Sequence, residues 1–292
     1  MFNSPFGEAP KPQQPSIEEA EIVFVADAFS EHYVGGAELT TDAIIEKLPA
    51  TVAKVLSHQV TPELIQKGMS KHWVFCNFSR MNHNLIPVIV SNLYYSIIEY
   101  DYKFCKWRSI EKHKSVENEE CNCHDEPQGK IVSAFFHGAE KVFWMSEKQQ
   151  QIYTDRFPFL KGEKNHVLFS VFTDSTLETL ARLRKNTQKT DKWVIVGSTS
   201  WIKGVQEAEA LCKEKGLDYE VVWQLPHNEM LQKFAASKGF VFTPLGGDTC
   251  PRTVIEARLA GCEVLLNENV QHKDESWFAG KSPEEIEQYL RS

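Results

Sequence analysis

Between Pro244 and Leu266 the chain reads PLGGDTCPRTVIEARLAGCEVLL, and residue types able to hold an anion and hydroxyl groups crowd together there. Gly246 and Gly247 carry no side chain, so backbone can come close to a ligand. Asp248 follows them, Arg252 and Thr253 stand where an amphipathic stretch begins, and Glu256 lies about one helical turn farther on. The first N–H groups of a helix have no intrahelical partner, and the helix dipole adds partial positive charge. Such an end suits a diphosphate. A carboxylate accepts two hydrogen bonds, which suits Glu256 to the vicinal diol of a ribose and Asp248 to the hydroxyls of a second group. The layout therefore fits a ligand with a central diphosphate between two hydroxyl-rich sugars. An ordinary strand–loop–helix with a solvated Asp and Glu has the same local pattern.

Other residues extend the candidate site. Lys203 precedes Gly204 at a helix start, where it can meet a phosphate or remain a solvated surface lysine. Trp201 can stack on a base or plug the domain edge. Gly35 and Gly36 lie between a strand and a helix, either facing a cleft or merely letting the helix pack on the sheet. Glu99 and Asp101 end a predicted strand, where a parallel sheet would present them to the same cleft. The run DYKFCKWRSIEKHK mixes cations with aromatics, a pattern open to an anionic or stacking acceptor and equally to a solvated helix face. His137, among apolar neighbours, reads as a polar cleft residue or, as is commoner in such surroundings, a structural histidine.

A separate constellation comprises Cys105, His113, Cys121 and Cys123, with His124 adjacent. Three thiolates and an imidazole can close a tetrahedral structural zinc site. The spacing is not that of a standard finger, and free thiols are the alternative reading.

The elements that must position these residues alternate. Strands are expected at EIVFVAD, VAKVLSH, KHWVFCNF, NLYYSIIEYD and KVFWMS, then again at KWVIVGS, DYEVVWQ, FVFTPL and EVLLN. Helices are expected at AELTTDAIIEKL, TPELIQKG and EKQQQIYTDRF, then at VQEAEALCKEKG, HNEMLQKFAASKG, RTVIEARLAG and SPEEIEQYLRS. Thr61 before Pro62 is a helix start, and Ser282-Pro-Glu-Glu285 is a capping box. Such alternation implies βαβ units and parallel sheets, whose ligands bind at the carboxyl ends of the strands. The polar segment Ala181 to Asp191 marks a boundary. The expected organisation is a flexible Pro-rich tail over 1–18, a first Rossmann-like domain over 19–181 and a smaller one over 191–292.

Whole-chain properties narrow the function. The 292 residues are 42% hydrophobic, enough for real cores, and the net charge of −8 argues against an extended polyanion-binding surface. No apolar run reaches the ~20 residues of a transmembrane helix; LIPVIVSNLYYSII is too short and interrupted. The N-terminal stretch lacks a secretory pattern, and the seven cysteines are an odd number, so a cytoplasmic location with free thiols or metal ligands is expected.

Three segments together carry a family resemblance. GGDTCPRTVIEARLAGCEVLL resembles the donor-site signature of retaining glycosyltransferases of the GT-B fold, the family 4-like "glycosyl transferases group 1". Asp248 takes the place of the loop acid and Glu256 that of the helix Glu. VIVGSTSWIKGVQEA resembles the segment that opens the family's nucleotide domain, with Gly197 after the strand and Lys203 in the phosphate-binding place. FVADAFSEHYVGGAEL resembles the opening strand and Gly-Gly loop of its acceptor domain, with Gly35 and Gly36 on the cleft.

The resemblance implies an α/β protein of two Rossmann-like domains with a cleft between them, the second unusually small. It implies transfer from a nucleotide-diphosphate sugar, with retention of anomeric configuration, and no catalytic metal. Lys203, Asp248 and Arg252 would be the catalytic group; Gly197, Gly247, Thr253 and Glu256 would complete the donor site; and Gly35, Gly36, Glu99 and Asp101 would shape the acceptor side. Where the family usually has Arg after the first glycine, this chain has Ser198, so Arg252 is the candidate substitute for that charge. The acceptor stays open: glycan, lipid, protein or modified nucleic acid. So do nucleotide-sugar epimerisation or hydrolysis on the same scaffold, and non-catalytic binding by a remnant donor site.

Overall fold

The computed structural model describes residues 15–292, so most of the tail expected over 1–18 lies outside the described residues. Ile17, however, is buried in the first core, and Ser16 and Glu19 close a turn on one another.

Two parallel sheets follow one another along the chain. The first has six strands: β1 (Ile22–Ala26), β2 (Val52–Leu56), β3 (His72–Phe75), β4 (Tyr94–Glu99), β5 (Lys141–Trp144) and β6 (Asn165–Val167), in the order β2-β1-β3-β4-β5-β6. Its connections carry α1 (Gly36–Lys47), α2 (Pro62–Lys67), α3 (Ile86–Asn92), α4 (Ile110–Glu117), α5 (Pro127–Gly138) and α6 (Glu147–Arg156). A further helix, α7 (Asp174–Asn186), leads to the second sheet. That sheet is built from β7 (Trp193–Val196), β8 (Tyr219–Val222), β9 (Gly239–Phe242) and β10 (Glu263–Leu266), in the order β10-β9-β7-β8. Its helices are α8 (Val205–Glu214), α9 (His227–Ala236), α10 (Arg252–Leu259) and α11 (Pro283–Arg291).

The strand sequences explain the layering. Side chains of a strand alternate between faces, and a strand covered on both faces reads as a continuous apolar run. In β1, Val23 and Val25 enter one core with Trp73, Phe75, Tyr95 and Ile97. Phe24 and Ala26 enter the other, with Val74 and Ile98. That second core does not stop at the first domain. It continues through Leu177 and Leu180 of α7 to Val194, Phe234, Phe240 and Val254 around the second sheet.

Helix α7 therefore packs on α9 and α10. The expected boundary segment 181–191 begins inside this helix, and the apolar face of α7 already serves the second domain. The caps expected at Thr61 and Ser282 are present, the latter as a complete capping box. Among the described residues no helix is long and apolar enough to cross a membrane.

Candidate functional site

The carboxyl ends of both sheets open onto one cleft. Its central cavity, about 440 Å³, is lined by Tyr33, Gly36 and Thr40 from the first domain and by Gly197, Lys203, Asp248, Arg252 and Thr253 from the second. A neighbouring space of about 200 Å³ lies between Asp101, Arg108, Gly246, Gly247 and Asp248. A third, about 460 Å³, sits over the end of β1, between Asp27, Glu38, His58, Asn77, Ser79 and Arg108. Tyr33 borders the first and third, and Lys203, Asp248 and Thr249 border the first and second.

The cleft has two helix starts facing each other. Pro251 precedes α10 and Gly35 precedes α1, and neither residue supplies a side-chain cap among the described residues. Neither residue's own side chain therefore occupies the first-turn N–H groups, although in α1 the Glu38 carboxylate folds back on its own N–H. A side-chain carbon added to Gly36 would meet Arg252 Cβ at 3.5 Å. Two positive dipole ends thus meet at one place, which suits an anion.

Lys203 supplies a full charge beside them. It closes a short 3-10 turn, Trp201–Lys203, after which Gly204 takes a left-handed conformation with φ +65°. Any side chain at 204 would run into the Thr243 carbonyl at 1.9 Å. That contact fixes the turn and aims Lys203 at the loop after β9. Lys203 Nζ lies 2.7 Å from Asp248 Oδ2, and this carboxylate raises the lysine pKa against the opposing effect of burial. Asp248 is held by its own backbone: its N–H donates to Asn269 and its carbonyl accepts from Gln271. Gly197 also sits on the cleft, its N–H donating to Val222 at 2.7 Å and its face covered by Trp223, where a side chain would collide at 2.4 Å.

Arg252 and Glu256 lie deeper. Both are buried, and Arg252 Nε donates to Glu256 Oε1 at 2.9 Å. His227 Nε2 lies 2.9 Å from the same oxygen. The guanidinium stacks 3.9 Å from the Phe172 ring and donates to the Val171 carbonyl at 2.5 Å, with Thr40 Oγ1 at 3.5 Å. Burial lowers the Arg252 pKa, with Glu256 opposing. Arg252 therefore borders the cleft while tying α10 to α1 and to the segment between the domains. His227, which the sequence does not single out, is the second group on Glu256.

On the first-domain side, Asp101 borders the cleft and pairs with both Lys103 and Arg108. Burial raises its pKa, but those two cations outweigh it and the net shift is downward. Glu99 stands at the end of β4, yet its side chain is 0% exposed. It accepts from Lys103 Nζ at 2.9 Å and Tyr153 Oη at 2.7 Å, and burial raises its pKa despite the lysine. It faces the protein interior and anchors the loop that follows, rather than meeting the cleft.

Asp27 takes the place at the end of β1 that sequence patterns do not flag. It accepts from Ser57 Oγ, Ser79 Oγ and the Arg80 N–H, at 2.5, 2.5 and 3.0 Å. Burial pushes its pKa up, and these hydrogen bonds outweigh it. Arg108 stands above, 3.1 Å from Ser79 Oγ and 3.2 Å from Asn77 Oδ1. Glu38 lines the same space with a pKa raised by burial.

The four Cys and His candidates also come together. Cys105, His113, Cys121 and Cys123 are buried, and their ligand atoms all lie within 4.8 Å of one another. They line none of the three cleft spaces and lie on the segment between β4 and α5, with His113 on α4. His137 is exposed at the end of α5, with its ring against Phe159.

Comparison with solved structures places the fold. The chain is similar to HepE of Anabaena, determined with UDP-glucose, at 13% identity and a TM-score of 0.53, with 93% of this chain and 89% of that one covered. It is similar to a UDP-forming trehalose-phosphate synthase of Burkholderia xenovorans at 9% identity and a TM-score of 0.54, covering 93% and 90%. An apo structure of OtsA matches at 9% identity and a TM-score of 0.52, covering 92% and 90%. No protein-family model matches the sequence, and no curated protein matches it. The shared feature is the two-domain GT-B architecture over nearly the whole chain; here the first sheet has six strands and the second four.

Proposed function

We propose that the chain is a glycosyltransferase that moves a sugar from a nucleotide-diphosphate sugar to an acceptor hydroxyl, with retention at the anomeric carbon. The observation that carries this reading is the meeting of Lys203, Asp248 and the uncapped start of α10 in a cavity of about 440 Å³ opposite the uncapped start of α1. The UDP-glucose of the HepE structure and the UDP-forming description of the Burkholderia synthase favour a uridine donor.

The donor diphosphate lies between Lys203 and the N–H groups of Arg252 and Thr253. In the reaction the bond from the anomeric carbon to the diphosphate oxygen breaks and a bond to the acceptor oxygen forms. The acceptor proton passes to the departing diphosphate, so no protein nucleophile is needed. Lys203 and the helix end stabilise the charge that grows on the leaving group. Asp248 holds hydroxyls of the transferred sugar. Ribose binding by Glu256 falls to its Oε2, because Oε1 is engaged by Arg252 and His227. The acceptor enters over Asp27, Glu38, Asn77 and Ser79, a polar surface suited to hydroxyl-bearing molecules.

A thermal-shift panel of nucleotide sugars tests the reading. A donor present at ~100 times its Kd adds roughly 2.7 kcal/mol of stability. Lys203→Met removes a half-exposed charge and should leave the free protein's melting point nearly unchanged. It should weaken the donor by ~10- to 100-fold, the scale of a hydrogen bond to a charged group. If no diphosphate sugar shifts the wild type, the donor-site reading is wrong. Proton NMR of the product's anomeric coupling then decides retention.

A further inference from the structure

We infer that Cys105, His113, Cys121 and Cys123 bind one zinc ion, which clamps the loop that carries Arg108 into the cleft. The metal site stands on its own geometry; its consequence for the acceptor side rests on the function proposed above.

The cluster has the composition and shape of a closed structural site. Zinc takes thiolates at ~2.3 Å and imidazole at ~2.0 Å in a tetrahedron, which sets neighbouring ligand atoms a little under 4 Å apart. Here Cys123 Sγ and Cys105 Sγ lie 3.3 and 3.8 Å from His113 Nδ1. All four ligand atoms fit within 4.8 Å. The four side chains are 1–7% exposed, so no position is left for solvent chemistry.

The surroundings match a metal rather than a chance gathering. His113 turns Nδ1 to the sulfurs, while its Nε2 is buried with no hydrogen-bond partner among the described residues. The nearest carboxylate oxygen to Nε2 is Glu119 Oε1, at 3.9 Å. Metal-bound histidines characteristically present the second nitrogen to such a carboxylate. Gly129 of α5 lets the Cys123–His124 backbone lie directly on the helix; a side chain there would strike the Cys123 carbonyl at 2.1 Å.

The start of the loop is held by Tyr102 and Phe104 in the first core and by Lys103 on Glu99, but the turn at Arg108 and the helix after it have fewer such anchors. Helix α4 is polar, with His113 its buried residue. Cys105 and His113 bracket the turn in which Arg108 adopts φ +57°, a left-handed conformation uncommon for a residue with a side chain. From that turn Arg108 reaches Asp101, Asn77 and Ser79 and borders two of the three cleft spaces. Pinning both flanks of the turn to one ion fixes where the guanidinium points.

The test uses the full chain purified without chelator. Elemental analysis should give one zinc per chain. Cobalt(II) titrated into metal-stripped protein should give the absorption of a tetrahedral thiolate site, and zinc should quench it. Cys121→Ser should lose the metal, whereas Cys212→Ser, at a buried cysteine of α8 outside the cluster, should keep it. If Cys121→Ser does not fold, Glu119→Gln at the exposed carboxylate should still lower zinc affinity by roughly 10- to 100-fold. Chelation should speed protease cleavage within 101–126 before cleavage elsewhere. Substoichiometric zinc with no cobalt spectrum, or a disulfide between two of the cysteines in non-reducing mass spectrometry, overturns the site. One zinc per chain with unchanged proteolysis of the loop overturns the clamp. These readouts are independent of any sugar donor, so they stand apart from the fate of the transferase reading.

Discussion

Gly36 and Arg252 close the floor of the cleft from opposite domains, near enough that a Cβ on Gly36 would touch the Arg252 side chain at 3.5 Å. That distance is ordinary contact, so Gly36→Ala should fold and bind donor like the wild type, within about 0.5 kcal/mol. Gly36→Phe projects a ring into the proposed diphosphate space. It should cut donor affinity at least about tenfold, or ~1.4 kcal/mol, by calorimetry. Equal donor binding by the two variants would put the diphosphate elsewhere.

Glu256 is both a proposed ribose ligand and half of a buried ion pair with Arg252. Removing one partner of such a pair leaves a buried charge uncompensated, at a cost of about 3–5 kcal/mol. Glu256→Ala should therefore show a large loss of stability in urea before any ligand is added. His227→Ala removes one of the two partners of Oε1 and should cost only ~1 kcal/mol. A loss below ~1 kcal/mol for Glu256→Ala would refute the buried ion pair with Arg252.

His272, next to the Asp248 loop, is stacked on Trp277 at 5.5 Å, and neither ring nitrogen has a hydrogen-bond partner among the described residues. Burial lowers its pKa from 6.5 to about 4, with Asp248 opposing. Between these values the unfolded chain takes up a proton that the folded chain refuses. The histidine's contribution is present above pH 6.5 and is lost as pH falls towards 4, in total roughly 3 kcal/mol. Denaturation of wild type and His272→Phe at pH 7.5 and 4.5 measures it. The wild type should lose more stability than the variant between the two; parallel losses would refute the assignment.

Gly129→Ala tests the zinc loop from the helix side. The added methyl must displace the Cys123 carbonyl, and overpacking of this kind costs about 1–3 kcal/mol. Because Cys123 is a proposed ligand, zinc should dissociate faster in a chelator competition. A variant that loses stability yet holds zinc as tightly as the wild type would separate the packing from the metal.

Much of the architecture shows in the chain because its strands are continuous apolar runs between turn signals. β1, β5, β7 and β9 fall where alternation places them. Helix α3 is harder to see: Val88, Ile89 and Val90 are β-branched, and the first-turn proline at 87 is what turns the segment helical. Helix α7 hides the domain boundary, since few of its residues are apolar although Leu177 and Leu180 are fully committed to the second core. At the site, glycines and charges beside a predicted helix start mark Lys203, Asp248 and Arg252. Asp27, Arg108 and His227 carry no such local mark. Their importance comes from partners 29 to 81 positions away, Ser57 and Ser79 for Asp27, Asn77 and Asp27 for Arg108, and Glu256 for His227, and pairwise proximity of that kind is not written in spacing. Glu99 illustrates the converse: its position at a strand end is legible, but the direction of its side chain depends on Lys103 and Tyr153.

The apolar core that runs from Phe24 through Leu177 to Phe240 has a calorimetric meaning. Two domains joined only by a linker melt separately, but here neither sheet can expose its inner face without stripping the other. The described chain should therefore unfold as one cooperative unit, with a single heat-absorption peak in scanning calorimetry. Heating would not populate a half-molten form, and a ligand that bridges the cleft would raise the melting point of both halves together.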